Sequence, residues 1–195
     1  MAAQQRNRNR IRTRLLITAG VAGLLVVAVV LYLVLRDDSV NHVQDESLGI
    51  SFDIDKRFVP IGRSELARQN PSFIYGYRPA GDTSSGCYIS QTPRTTGGQV
   101  ATEYLEEGTM KAIRRNNPDA KLIGSETVEV EVDHQGVLMD ISYQEQQQVI
   151  ARSELVVTTD TATTFAFCDA PRDRLADYQE NFTVFFSSLT LRPFD

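Results

Sequence analysis

The residues that could support metal or acid–base chemistry are few. The chain has two histidines, His42 and His134, and no other side chain titrates near neutrality without a perturbed environment. A metal site needs three or four converging ligands, and the one conceivable set is His134 with Asp133, Glu131 and Asp140. The segments around His134 alternate apolar and polar residues, so the carboxylates of one strand point together towards solvent. A solvated sheet face is the favoured interpretation, and no metal ligand is predicted.

Nucleophilic catalysis requires a nucleophile with a base beside it, and only His134 could serve as that base. The other histidine, His42, lies in a polar linker. The chain contains no G-x-S-x-G motif, and no P-loop or dinucleotide fingerprint surrounds Gly97 and Gly98. The sequence therefore predicts no catalytic residue and no cofactor, and the protein is predicted not to be an enzyme.

The two cysteines, Cys87 and Cys168, both fall on predicted strands. An oxidising compartment would permit a disulfide between them. Two separate buried thiols are the alternative, since free cysteine packs as a small hydrophobe. The sequence leaves both open because it does not show whether the two Cβ atoms approach within about 4.5 Å. A bridge closing so long a loop would contribute up to about 4 to 5 kcal/mol in the chain-entropy model.

The compartment is indicated by residues 15–35, an unbroken apolar run. At about 1.5 Å per residue, a helix of this length covers the roughly 30 Å hydrocarbon core of a bilayer. Five arginines precede the run, whereas only Arg36, beside two aspartates, follows it directly. Since basic residues stay on the cytoplasmic side, the sequence predicts a single-pass signal-anchor with its C-terminal part outside. A cleaved signal peptide is less favoured because no small-x-small cleavage site follows the run.

The span divides the chain into four predicted parts. Residues 1–14 form a basic cytoplasmic tail, 15–35 a transmembrane helix, 36–47 a linker and 48–195 one extracytoplasmic domain. The formal net charge is −5, and most of the clustered basic residues precede the span. An acidic exported domain argues against nucleic-acid binding, which uses a clustered basic face.

Period-two and helical patterns predict an α+β domain with an antiparallel sheet and two main helices. A capping-box spacing from Thr96 to Gln99 predicts the start of the first helix, which ends before Pro118. Asp169 and Pro171 predict the entry to the second helix, whose face is aromatic. The predicted strands are 48–54, 72–78, 87–91, 128–132, 137–143, 150–159 and 163–168, with a turn at 133–136.

Three stretches of the chain carry a resemblance to a known family. In chain order they are Leu48-Gly49-Ile50-Ser51-Phe52-Asp53-Ile54, Phe167-Cys168-Asp169-Ala170-Pro171 and Phe186-Ser187-Ser188-Leu189-Thr190-Leu191. Together with the mid-domain helix and the strands between 128 and 168, they resemble the PsbP-like superfamily, which includes photosystem extrinsic subunits and bacterial membrane-anchored or lipid-anchored surface proteins. The resemblance implies an α/β/α sandwich and a non-enzymatic accessory role, and it carries over no functional residue.

These observations predict an accessory or interaction module at the outer face of the cell membrane, bound to another envelope or surface protein. The alternative is a small-ligand or metal-binding envelope protein, with a cleft lined by Tyr75, Tyr77, Tyr88 and Tyr104. Buried tyrosines are as often core residues with a satisfied hydroxyl group. A hydrolase is the least favoured of the three classes.

Overall fold

The computed structural model describes residues 39–94, 100–131 and 134–191. The α+β class is confirmed. In chain order, the elements are β1 (Val40–Asp45), β2 (Ile50–Asp55), β3 (Phe58–Pro60), α1 (Arg63–Gln69), β4 (Phe73–Pro79), β5 (Gly86–Pro93), α2 (Thr102–Asn116), β6 (Lys121–Glu131), β7 (His134–Glu145), β8 (Gln148–Thr158), β9 (Ala162–Pro171), a 3-10 turn (Arg172–Arg174), α3 (Leu175–Ser188) and β10 (Thr190–Leu191).

Two antiparallel sheets organise the described residues. The larger sheet has seven strands in the order β3-β4-β5-β9-β8-β7-β6, and the smaller has three in the order β1-β2-β10. Strands β6 to β9 form a meander in which each strand pairs with the next along the chain. Because side chains alternate along each strand, the larger sheet presents a different set of residues on each face.

Each face of the larger sheet packs against a helix. On one face, Ile89 and Leu155 join Phe182 and Phe185 of α3, together with Phe52 of β2, in one buried cluster. On the other face, side chains of β7 and β8 pack against α2, and this cluster consists of Leu105, Met110, Ile113, Ala120, Val137, Met139, Ile141, Tyr143, Ile150 and Val156. The larger sheet therefore lies between α3 and α2, as the resemblance implied.

Several predicted boundaries were wrong. Helix α2 begins at Thr102 with Ala101 at its N-cap, not at Thr96. Asp169 and Pro171 belong to β9, because they pair with β8, and α3 begins only after the following 3-10 turn. Residues 40–45 of the predicted linker form β1, which lies beside β2.

The strands predicted at 128–132 and 137–143 pair with each other, but both are longer than predicted. Strand β6 begins at Lys121, and β7 begins at His134, which pairs with Glu131. His134 is therefore strand, although the pattern predicted a turn at 133–136. Register shifts interrupt the β6–β7 pairing between Leu122 and Gly124 and between Glu129 and Glu131.

The predicted transmembrane segment, residues 15–35, lies outside the described residues and stays a prediction. Within 39–94, 100–131 and 134–191, no helix has the length and apolar character needed to cross a membrane.

Candidate functional site

The structure does not bring all four residues of the conceivable metal set together, because Asp140 is far from His134 along β7. His42 Nδ1 lies 2.8 Å from Asp53 Oδ1 in an exposed pair. Asp140 lies six residues beyond His134 along β7, which is about 20 Å in an extended strand. Asp133 lies outside the described residues, and the described ones contain no group of three His, Cys, Asp or Glu placed to hold a metal ion.

The four tyrosines proposed to line a cleft do not line one together. Tyr75 and Tyr77 both line a small pocket of about 250 Å³, but Tyr88 and Tyr104 are not part of it, so the cleft prediction was wrong for the set of four. Tyr75 and Tyr77 make edge contacts with Phe52 on the α3 face of the sheet. Tyr88 stacks on Phe167, with ring centroids 5.0 Å apart, whereas Tyr104 projects from α2 with 71% of its surface exposed.

The two cysteines are joined in a disulfide, with their Cα atoms 4.0 Å apart. Cys87 on β5 lies directly opposite Cys168 on β9, so the pairing of the two strands brings the sulfurs together. Both residues are buried in the α3-side core. Of the two alternatives left open by the sequence, the structure has the bridge.

A groove of about 810 Å³ lies between α3 and strands β6, β7 and β8, and we call it the α3 groove. Its floor contains Val128 and Val130 of β6, with Leu138 of β7. These three side chains are half-buried, and they pack against the edge of the α3-side core. The groove therefore offers an apolar surface that the rest of the domain covers only in part.

Helix α3 forms the wall of the groove. Its apolar residues recur at steps of three and four, so they lie on the one side of the helix that faces the sheet. Phe182 reaches into the buried core, whereas Phe186 stays half-buried where the helix meets the groove. One step round the helix, Gln179, Thr183 and Ser187 are exposed at the rim, four residues apart. An apolar floor with a polar rim is the usual character of a binding site.

The charges around the α3 groove are predominantly acidic. Glu126, Glu129 and Asp140 line it from the sheet, and all three are exposed. Asp140 also accepts a hydrogen bond from Ser153 Oγ at 2.6 Å. Two arginines also line the groove: the exposed Arg172, in the 3-10 turn before α3, and Arg152 of β8, whose guanidinium group contacts Asp169 on the opposite face of the sheet. The groove therefore favours a ligand with apolar and basic groups.

A second group of charges lies on the opposite face of the sheet, around Arg152. Its Nη2 donates hydrogen bonds of 3.0 Å to Asp169 Oδ2 and to the Tyr143 hydroxyl group. Its guanidinium carbon lies 4.0 Å from the centre of the Phe167 ring. Nη1 is 3.7 Å from Glu154 Oε2, which has no hydrogen-bond partner among the described residues.

Burial sets the ionisation of this cluster. Desolvation raises the pKa of Asp169 and of Glu154, although the positive charge of Arg152 acts in the opposite direction. Burial also raises the pKa of Tyr88 to about 12. Arg152 on β8 is hydrogen-bonded to Tyr143 on β7 and to Asp169 on β9, and the contacts described around it include no thiol or imidazole. The cluster therefore has the character of a structural brace, a set of side-chain contacts that holds three strands together.

Comparison with known proteins rests on structure alone. No protein-family model and no curated protein sequence matches the chain. The solution structure of cyanobacterial PsbP (CyanoP) from Synechocystis sp. PCC 6803 superposes with a TM-score of 0.63 at 14% identity, covering 79% of this chain and 93% of that one. The chain has a PsbP-like fold.

Two further solved structures share the architecture of this PsbP-like domain. LpqN of Mycobacterium tuberculosis, described as involved in cell envelope biogenesis, has a TM-score of 0.54 at 16% identity, covering 81% of this chain and 94% of that one. The Ran-binding protein Mog1p of Saccharomyces cerevisiae has a TM-score of 0.51 at 10% identity, covering 78% and 95%. At these identities, the comparisons show the fold alone.

Sequence reasoning identified none of the groove residues of the PsbP-like domain as a site. The alternation around Val128 and Val130 predicts a half-buried strand, but it does not show which element leaves that strand uncovered. One signal was available at Leu122 and Ile123, since two consecutive apolar residues in a strand point to opposite faces of the sheet. Ile123 is 66% exposed and lines the α3 groove.

Proposed function

We propose that the protein is a membrane-anchored accessory module whose PsbP-like domain binds another envelope protein through the α3 groove. The observation that supports this proposal most directly is the groove itself, about 810 Å³ in volume, with an apolar floor and an exposed polar rim. Among proteins of similar fold, LpqN is described as involved in envelope biogenesis and Mog1p as Ran-binding. A binding role is compatible with both descriptions.

The anchor and its orientation are part of this proposal. The motive is the apolar run of residues 15–35 with arginines before it. A reporter enzyme that is active only outside the cytoplasm should work when fused after Asp195. Activity of a cytoplasm-only reporter at the same position would contradict the proposed orientation, and an intact mass lacking the N-terminal residues would contradict the uncleaved anchor.

The proposal includes no turnover chemistry. In the described residues, both cysteines are consumed by the disulfide, and His42 pairs with Asp53 at the surface. A general base must be held within hydrogen-bond reach of the group it deprotonates. We therefore expect His134→Ala to leave partner binding intact. Loss of function in a stably folded, correctly inserted His134→Ala protein would support the enzyme or metal hypothesis instead.

The groove volume also favours a second candidate function, the binding of a small apolar ligand. Pockets for such ligands are usually about 300 to 1,000 Å³, and the α3 groove falls in this range. Native mass spectrometry of the protein extracted from its own membrane separates the candidates. A bound small molecule at constant stoichiometry supports the second function, and a bound protein supports the first.

Filling the groove tests the proposed function directly. Ser187 is exposed at the rim, so Ser187→Trp should block the α3 groove without opening the core. Ser64, exposed on α1 and absent from the groove lining, gives the matched control Ser64→Trp. Crosslinking and pull-down from the native membrane should recover a partner with the wild type and Ser64→Trp, but not with Ser187→Trp. Equal recovery by both variants would overturn the proposed function.

A further inference from the structure

Strand β6 is the last strand of the larger sheet in the described part of the chain, where no other strand is hydrogen-bonded to its outer edge. It has eleven residues and pairs with β7 on one side, and the strand order of the described sheet stops there. The edge strand at the other end, β3, has three residues. On an edge strand, alternate backbone N–H and C=O groups point outwards and can pair with an added strand.

The outer edge of β6 lies next to the α3 groove. Val128 and Val130 line the groove from β6, and so does the exposed side chain of Ile123 near the start of the strand. A strand added beside β6 would lie about 4.8 Å away and would direct every second side chain towards the α3 side of the sheet. Apolar side chains at those positions would extend the contact with the groove.

The charges on β6 favour one kind of added strand over another. Glu126 and Glu129 are exposed on the strand and line the groove, as does Asp140 on β7. If two copies of the chain paired through β6, the glutamates of both copies would be brought close together, which is unfavourable. A strand carrying lysine or arginine would meet opposite charges at the same positions.

We infer that β6 and the α3 groove together take up an extended segment of the partner protein, in which apolar and basic residues alternate. The segment adds to the larger sheet as a further strand beside β6. Backbone hydrogen bonds supply affinity, the apolar side chains lie on the groove side with Val128 and Val130, and the basic side chains lie on the other side of the sheet beside Glu129. This inference rests on the proposed function and specifies the chemistry of the partner.

Synthetic peptides test the inference on the full-length chain in a nonionic detergent. A fluorescent peptide of alternating valine and lysine should bind, as measured by anisotropy, and an alternating valine and glutamate peptide should bind at least about tenfold more weakly. Bound Val/Lys peptide should also slow amide hydrogen exchange along β6, because its outer N–H groups acquire partners. Slower exchange separates strand addition from simple occupation of the groove.

Charge reversal provides the matched pair of variants. Glu126→Lys/Glu129→Lys should weaken binding of the Val/Lys peptide by about tenfold and strengthen binding of the Val/Glu peptide. Glu103→Lys/Glu107→Lys makes the same change of charge on exposed α2 residues outside the groove lining and should change neither.

Three results would overturn the inference: no binding of the Val/Lys peptide, binding that leaves β6 exchange unchanged, or equal effects of the two double variants. Dimerisation of the chain through β6, detected by sedimentation with protected β6 amides in the absence of peptide, would also overturn it. These failures are distinct from failure of the proposed function. That function is tested separately, and it fails if Ser187→Trp still captures the partner as Ser64→Trp does.

Discussion

Removal of the Cys87–Cys168 disulfide should destabilise the domain by several kcal/mol. The bridge joins residues 81 positions apart. In the chain-entropy model, closing a loop of that length lowers the entropy of the unfolded chain by an amount worth about 4.5 kcal/mol at 25 °C. Because Cys87 and Cys168 are 1% and 0% exposed, replacement by alanine also removes buried sulfur atoms from the core. We expect Cys87→Ala/Cys168→Ala to lose about 3 to 5 kcal/mol.

Urea unfolding of residues 39–195, which contain both sheets and all three described helices, measures this loss. We expect this fragment to fold without residues 1–38, because it contains the complete amphipathic set of elements. With a slope of about 2 kcal/mol per molar urea, the midpoint should fall by about 2 M. The same fall should follow reduction of the wild type, and a reducing agent should not affect the double variant.

The reasoning would be refuted if the oxidised and reduced wild-type proteins unfolded at the same urea concentration. It would also be refuted if the double variant matched the oxidised wild type, since the loop constraint would then contribute nothing.

Three further predictions follow from buried and exposed groups. Phe182→Ala should lower the free energy of unfolding by about 3 to 5 kcal/mol, since Phe182 is 4% exposed. Glu129→Ala should change it by no more than about 0.5 kcal/mol, because Glu129 is exposed. Equal losses in urea unfolding would show that the buried and exposed faces are misassigned. Burial of Asp82 opposes its ionisation, but hydrogen bonds from Ser84 and other groups outweigh it and lower the pKa to about 2 from a usual 3.8. The stabilisation, at most about 2 kcal/mol, is present above pH 3.8 and lost as the pH falls towards 2, so Asp82→Asn should be less stable at pH 7 and match the wild type near pH 2. Arg152→Met should lower the free energy of unfolding by about 3 to 5 kcal/mol at pH 7, because the carboxyl groups of Glu154 and Asp169 lose their cation. The loss should be smaller at pH 5, because burial raises the pKa of both carboxyl groups. A loss independent of pH would contradict the structural role proposed for Arg152.

The sequence predicted well where a regular period repeats over many residues. The face of α3 followed from Phe182 and its neighbours at steps of three and four, since only one side of that helix can be buried. The β6–β7 hairpin followed from the alternation at Val128 and Val130, and its pairing with β7 was found. In both cases the local pattern and the tertiary contacts favour the same structure.

Prediction failed where local signals were overridden by pairing with distant strands. Asp169 and Pro171 have the residue types of a helix start, but β8 pairs with them and extends β9. The polar residues of β1 have no strong alternation, and their strand forms beside β2. The Thr96 cap signal preceded a helix that begins at Thr102. The α3 groove could not be predicted, because periodicity does not tell which half-buried residues remain uncovered.

The most direct test of the binding proposal is site-specific photo-crosslinking in the native membrane. A photoreactive residue at Ser187 samples the rim of the α3 groove, and the same residue at Ser64 samples α1. We predict that illumination at Ser187 yields a covalent adduct with one envelope protein, and that the Ser64 position does not yield it. No protein adduct at Ser187, or the same adduct at both positions, would contradict a partner bound in the groove.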